Sequence, residues 1–355
     1  MTMKRYFLYS LTFSLLLTAI PALPAYCITA PELVISAEEE QQLTEPVTEI
    51  VETSVENSEI VENTVETVEN SEICPIEKAT TYKVLDVNSG EIWEISVREY
   101  LIGSVSAEMP ASFSDEALKA QAVAVHTYAE RQHIVSQKQG KNYDFTNDPA
   151  IHQAYYTENQ LRERWGNEYD TFHEKISSAV DAVKDELLFY DEEPILSVFH
   201  AMSSGKTDTA GNVWGSDKPY LQSVDSVSDK NAPQYEKVVT YTAEQVRCIL
   251  GNAKSSLYLE GNASGWFGTP NITDAGTVLS IPIGNETFTG QEIKSLFGLR
   301  SASFSIDVED NQVSFTTYGF GHNVGMSQYG ANAMAKDGCT YQEILAYYYP
   351  NTSLQ

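Results

Sequence analysis

Glu108 is the first group in this chain with the makings of a catalyst. It sits among small and apolar neighbours in the run Ser104-Val105-Ser106-Ala107-Glu108-Met109-Pro110, a few residues ahead of a helix start. Burial in such surroundings raises a carboxyl's proton affinity toward neutrality, which a general acid working near pH 7 needs. Taken alone, a glutamate before a Met-Pro turn also reads as a plain loop carboxylate. Two Gly-punctuated loops, 211–220 and 319–330, carry further polar and aromatic groups of the kind that build sites. Cysteine chemistry has less to offer. Cys27, Cys74, Cys248 and Cys339 lie far apart with no CxxC or Cys/His cluster, which excludes a zinc ribbon and a disulfide-dense scaffold.

The elements that must position these residues are legible from periodicity and caps. Residues 81–87 and 91–97 alternate as two strands around the turn signal Asn88-Ser89-Gly90, predicting a hairpin. A long helix follows, capped at Ser114 or Ser112, with Asp115 and Glu116 in its positive first turn. Leu118, Ala122, Val125 and Ala129 form its stripe, and it runs to about Ser136. Its Ala-rich faces predict a central helix packed on several sides. Further helices are expected over 170–183, 242–250, 289–297, 327–336 and 340–348, with capping boxes at Thr289/Glu292 and Thr340/Glu343. Strand patterns fall at 193–200, 303–308 and 312–317. Strands and helices mix without the regular alternation of a doubly wound sheet, so the expected class is α+β, one large domain over residues 79–355 with a substrate groove.

Charge and the N-terminus limit the function classes. With 22 Lys and Arg against 50 Asp and Glu in 355 residues, the formal charge is −28, which argues against an electrostatic grip on nucleic acid; no nucleic-acid partner is expected. Lys4 and Arg5 precede 26 uncharged residues, 6–31, so residues 1–30 read as a signal peptide or an N-terminal membrane anchor. The expected location is therefore the cell membrane, with the folded part extracytoplasmic, or secretion to the cell wall. Residues 31–78 hold 14 Glu, one Lys and no aromatic residue, and Val55-Glu56-Asn57-Ser58-Glu59-Ile60 recurs at 68–73. That composition is an acidic low-complexity linker, extended by self-repulsion and unable to close a core. Residue types and spacing thus lead to an exported α+β domain with a groove for carbohydrate or peptide.

Longer motifs carry a family resemblance. The run 104–110, followed by Glu116-Ala117-Leu118-Lys119-Ala120-Gln121-Ala122-Val123-Ala124 and Thr127-Tyr128-Ala129, resembles the stage II sporulation protein D family, which also includes amidase-enhancer proteins. A second match joins Phe199-His200-Ala201-Met202-Ser203-Ser204-Gly205-Lys206-Thr207 to Val213-Trp214 and Pro219-Tyr220-Leu221. The third and most specific is Gly319-Phe320-Gly321-His322-Asn323-Val324-Gly325-Met326-Ser327-Gln328-Tyr329-Gly330-Ala331. The three stand in the family's order across the folded part.

The resemblance implies a lytic transglycosylase that cleaves peptide-stripped peptidoglycan glycan strands to 1,6-anhydro-muramyl products, with Glu108 as the catalytic acid. No cofactor or metal is expected. It also implies a noncatalytic amidase enhancer as the alternative, and a cell-wall amidase and other sporulation membrane proteins as further partners. Tyr220 would orient the sugar or hydrogen-bond Glu108, against a packing role. Ser203, Ser204, Gly205 and Thr207 would offer a turn to sugar hydroxyls or N-acetyl groups, against an ordinary ST-turn. His322, Gln328 and Tyr329 would line the groove, with a structural histidine as the other reading of His322. Three departures stand out. His126 replaces an arginine, so an internal ion pair is missing or pH-dependent. Asn323 replaces a glycine, tolerable at positive φ. His133 and His152 are kept from a zinc site of some relatives, but Gln153 and the lack of Cys between 75 and 247 leave too few ligands for a closed structural zinc site.

Overall fold

The computed structural model describes residues 78–355. The expected signal or anchor, residues 1–30, and all but the last residue of the expected acidic linker lie outside the described residues. Among the described residues no helix is long and apolar enough to cross a membrane.

The chain opens with the expected hairpin, β1 (Thr81–Leu85) and β2 (Ile92–Ser96), antiparallel from Thr81 opposite Ser96 to Leu85 opposite Ile92. It passes directly into α1 (Val97–Glu108), capped by the Ser96 hydroxyl on Glu99 N. This helix has no counterpart in the sequence expectations. Its residues from Tyr100 to Glu108 are all buried, so there is no polar face to produce a helical period. Glu108 therefore ends a helix and does not sit on a loop ahead of one.

The next helix, α2 (Asp115–Lys138), is central as expected. It packs against α1 and against three later helices, Tyr169–Val183, Gln328–Lys336 and Tyr341–Tyr348. Its alanines 117, 120, 122, 124 and 129 are all buried, which is what lets four helices approach one. After α2 come the short strand β3 (Phe145–Thr146), parallel to β1, and helix Glu158–Trp165. The stretch 193–200, expected as one strand, holds only two-residue strands at its ends, Glu193–Pro194 and Phe199–His200. Phe199 and His200 pair with Met326 and Ser327, which puts the second and third motifs side by side.

Residues 236–318 carry a second hydrophobic core, distinct from the one around α2. Glu236–Thr242, Phe304–Glu309 and Gln312–Tyr318 form one three-stranded sheet, and Asn271–Ile272, Val278–Ile283 and Glu286–Thr289 form another. Helices Ala243–Ala253 and Gly290–Phe297 pack with them around Trp266, Phe288, Phe297 and Phe315. The capping boxes at Thr242, Thr289 and Thr340 are all formed. Each cap contributes about 1 kcal/mol. The hairpin made by Phe304–Glu309 and Gln312–Tyr318 turns through Asp310 and Asn311, both at positive φ, the twist that two-residue hairpin loops require. The α+β class holds, with two cores inside what the sequence suggested as one domain.

Candidate active site around Glu108

Glu108 is 2% exposed at the C-terminal end of α1. Its Oε1 accepts a hydrogen bond from the backbone N–H of Ala154 at 2.7 Å. Its main-chain carbonyl accepts from Gln328 Nε2 at 2.8 Å, and the same nitrogen lies 3.4 Å from Gln121 Oε1. Glu108 and Gln121 of the first motif thus meet Gln328 of the third. Burial and the negative end of the helix dipole act against charge on this carboxyl, while the Ala154 N–H acts for it. The amide nitrogens of Gln121 and Gln153 and the Ser106 hydroxyl are buried without a hydrogen-bond partner among the described residues.

Tyr329 stands beside Gln328, half-buried, its ring edge-on to Phe113 at 5.0 Å. His322 is buried, its Nδ1 accepting from Val324 N at 3.1 Å and its ring 5.1 Å from Trp214 and 5.5 Å from His200. Burial, with His200 and Lys294 adding to it, holds His322 well below the usual imidazole range, so it is neutral at pH 7. Asn323 takes φ of 71°, as expected for a glycine replacement. Its Oδ1 accepts from Ser204 N and its Nδ2 reaches Thr277 Oγ1, so it ties the middle motif to the segment that enters the second core.

The hydroxyls of the middle motif bond within the protein. Ser203 is buried and gives both its N–H and its hydroxyl to Asp229 Oδ2. Ser204 donates its hydroxyl to the Ala275 carbonyl, and the Thr207 hydroxyl accepts from Val224 N at 2.9 Å. Gly205, at φ of 106°, lets the Lys230 stem lie against its α-carbon. These hydroxyls are satisfied inside the protein, and the turn serves as a joint. Tyr220 accepts from Leu196 N at 3.2 Å and packs its ring 5.6 Å from Tyr190.

Asp229 had no sequence signal beyond its type, yet it anchors this joint. Its other oxygen accepts from Ser327 Oγ at 2.8 Å, so one buried carboxylate ties the second motif to the cap of helix Gln328–Lys336. Burial raises its carboxyl above the usual range against the pull of those hydrogen bonds. Gly330 is part of the same contact, since a Cβ there would strike Ser226, Tyr348 and Asp229. Asp229→Ala would leave the buried Ser203 N–H and hydroxyl without an acceptor and Ser327 Oγ with only the Ala201 carbonyl at 3.4 Å. We expect a loss of about 3 kcal/mol or more in equilibrium denaturation; a loss below about 1 kcal/mol would contradict this role.

Among the described residues no three of His, Cys, Asp or Glu gather as a metal site. His133 Nδ1 pairs with Asp144 Oδ1 at 2.9 Å, and Asp144 also accepts from Lys83 N and Ser136 Oγ. His152 Nδ1 accepts from Thr146 N, and Gln153 Oε1 accepts from the Tyr100 hydroxyl. His126 is buried, and among the described residues neither of its ring nitrogens makes a hydrogen bond of good geometry. Burial, then Lys78, pushes it down to about 4. It is neutral near pH 7, where it forms no ion pair.

A family model described as Stage II sporulation protein matches residues 86–190. Stage II sporulation protein D of Bacillus subtilis (strain 168) is 38% identical over 261 residues, which cover 73% of this chain and 74% of that protein. The chain belongs to the stage II sporulation protein D family. A second relative of that name, from Bacillus amyloliquefaciens, is 33% identical over 279 residues, 78% of this chain and 79% of that protein. An amidase enhancer of Bacillus subtilis is 25% identical over 305 residues, covering 72% of this chain and 40% of that protein. In this member of the stage II sporulation protein D family, the segment matched by the family model holds Glu108, Gln121 and the stretch that carries Ala154.

Proposed function

We propose that the chain is a lytic transglycosylase that cleaves peptide-stripped peptidoglycan glycan during sporulation-associated wall remodelling. Glu108 is its acid and base. The observation that carries this reading is the buried Glu108 at the meeting point of the first and third motifs, its carboxyl accepting from Ala154 N and its main-chain carbonyl from Gln328 Nε2. A glycoside hydrolase uses two carboxyl groups flanking the bond. The other buried carboxylates among the described residues have structural partners. Asp86 accepts from Ser89, Glu130 from Tyr82, Asp144 from Ser136, Asp208 from Asn212 and Thr273, and Asp229 from Ser203 and Ser327.

One carboxyl suffices if the nucleophile belongs to the substrate. Protonated Glu108 gives its proton to the glycosidic oxygen as the bond from C1 breaks. The resulting carboxylate then takes the proton of the muramyl C6 hydroxyl, whose oxygen closes on C1 as a 1,6-anhydro ring. No water is activated, and the intramolecular attack has the advantage of high effective molarity. The unpaired amide donors of Gln121 and Gln153 suit sugar hydroxyl and N-acetyl oxygens, since a buried donor without a partner costs about 1–3 kcal/mol. Wall glycan lies outside the cytoplasmic membrane, so the proposal requires export, for which residues 1–30 are the expected signal or anchor.

Mass spectrometry of products from amidase-stripped glycan tests the reading. We expect muramyl ends lighter by one water than reducing ends. Reducing ends would mean hydrolysis. The amidase-enhancer relative supports a second reading, in which this chain binds wall and assists an amidase without cutting glycan. Failure to cleave, combined with stimulation of a partner amidase, would replace the first reading with the second.

A further inference from the structure

One donor to Glu108 comes from backbone in an irregular stretch, residues 153–156, and such backbone stays in place only as well as it is anchored. Three anchors lie on α1, the helix that ends in Glu108. The buried Tyr100 hydroxyl donates to Gln153 Oε1 at 3.1 Å. The Tyr100 ring stacks on Tyr155, with centroids 5.7 Å apart and planes 8° from parallel. One turn on, the Gly103 carbonyl accepts from Tyr156 N at 3.3 Å. Gly103 is also a glycine for a reason of space, because a Cβ there would strike the Tyr155 ring and lie 2.6 Å from the Tyr156 carbonyl oxygen. Carboxylate and donor are thus fixed to one rigid helix.

We propose that segment 153–156, clamped to α1 by Tyr100, Gly103 and Gln153, is an element that sets the orientation and proton affinity of Glu108. These three are positioning residues. An N–H donated to a carboxylate is a charge-assisted bond that favours the ionised form and fixes its rotamer. A group that must give a proton and then take one works best with its proton affinity near the working pH, so a loosened donor changes turnover by changing titration. Tyr100 and Tyr128 are titratable side chains coupled electrostatically to Glu108, and burial keeps both phenols protonated far above neutral pH. Gln121 and Gln328, also at this end of α1, are neutral amides.

The inference rests on Glu108 as the acid and base, and its test has an arm that does not need activity. The full chain is labelled with carboxyl-13C glutamate, and the Glu108 signal is identified by its loss in Glu108→Gln. Its titration is then compared among the unsubstituted chain, Tyr100→Phe, Gln153→Ala and Gly103→Ala. We expect the midpoint to move upward by about one pH unit in Gly103→Ala, with smaller upward moves in the other two. On stripped glycan the pH profile of kcat for Tyr100→Phe should shift by the same interval as that variant's midpoint, while KM stays within about twofold. An unchanged Glu108 midpoint in folded Tyr100→Phe and Gln153→Ala overturns the inference, whether or not Gly103→Ala folds. If the unsubstituted chain cuts no glycan, the transglycosylase reading fails by itself, and the titration still decides whether the clamp governs Glu108.

Discussion

Glu108→Gln should abolish glycan cleavage, with turnover down by on the order of 10⁴. Glutamine has nearly the shape of glutamate, and its Oε1 can keep the bond from Ala154 N, so the site stays intact. The main-chain carbonyl that receives Gln328 is not altered at all. What disappears is the proton, and with it both halves of the reaction: no acid for the leaving oxygen and no base for the C6 hydroxyl. Rescue by a second carboxylate is not expected, since Glu130, Asp144, Asp208 and Asp229 each serve a structural hydrogen bond. The thermal midpoint should change little, and glycan binding should survive. Release of anhydro-muramyl products, followed by mass spectrometry, is the measurement. Substantial cleavage by a folded variant would remove Glu108 from the mechanism, and undiminished amidase stimulation by a chain that cuts nothing would favour the enhancer reading.

Much of the scaffold around this site is written locally. The hairpin β1–β2, the stripe of α2 and the Thr caps at 289 and 340 each follow from neighbours in sequence, and each stands where its pattern puts it. Helix α1 is the instructive failure. It is buried from Tyr100 to Glu108, so nothing in its composition alternates, and the Met109-Pro110 stop looks like part of a loop. Missing that helix hides the relation between Tyr100, Gly103 and Glu108. The Ala154 donor is hidden for a different reason: any residue but proline has an N–H, so no side chain marks it. Gln328 reached the site through motif resemblance, as did the middle-motif hydroxyls, yet it is Gln328 that touches Glu108. Ser203 and Thr207 hold the joint at Asp229 and Val224 instead. Motif membership records that a residue is constrained, and packing shows whether chemistry or architecture constrains it. The second core has no local signature, because Glu236–Thr242 pairs with Gln312–Tyr318 far along the chain, and short-range patterns carry no trace of that partner.

Acid should unfold this protein well before most of its carboxylates are neutralised. Burial lowers His126, His152 and His200 to about 4 and takes His322 well below its usual range. In the unfolded chain each of these rings titrates near pH 6.5. Below about 6.5 the unfolded chain binds protons that the folded chain refuses, so stability falls as pH drops toward 4. Each such histidine contributes a slope of up to about 1.4 kcal/mol per pH unit. His133 works the other way, since its hydrogen bond to Asp144 raises it, as does Asp229, which burial raises; these two groups offset only part of the total. With total stabilities of about 5–15 kcal/mol typical of folded domains, three or four aligned slopes of this size are enough to unfold the chain within about two pH units. Denaturant melts at stepped pH values between about 7.5 and 4.5 measure the slope. His126→Met isolates one contribution, because that ring gives up no hydrogen bond of good geometry on replacement. The variant should match the parent's fold at about pH 7.5 and show a slope shallower by about 1.4 kcal/mol per unit below about pH 6. A parent whose stability is flat from about 7.5 to 5, or a variant with the parent's slope, would show that these rings take up their protons without unfolding.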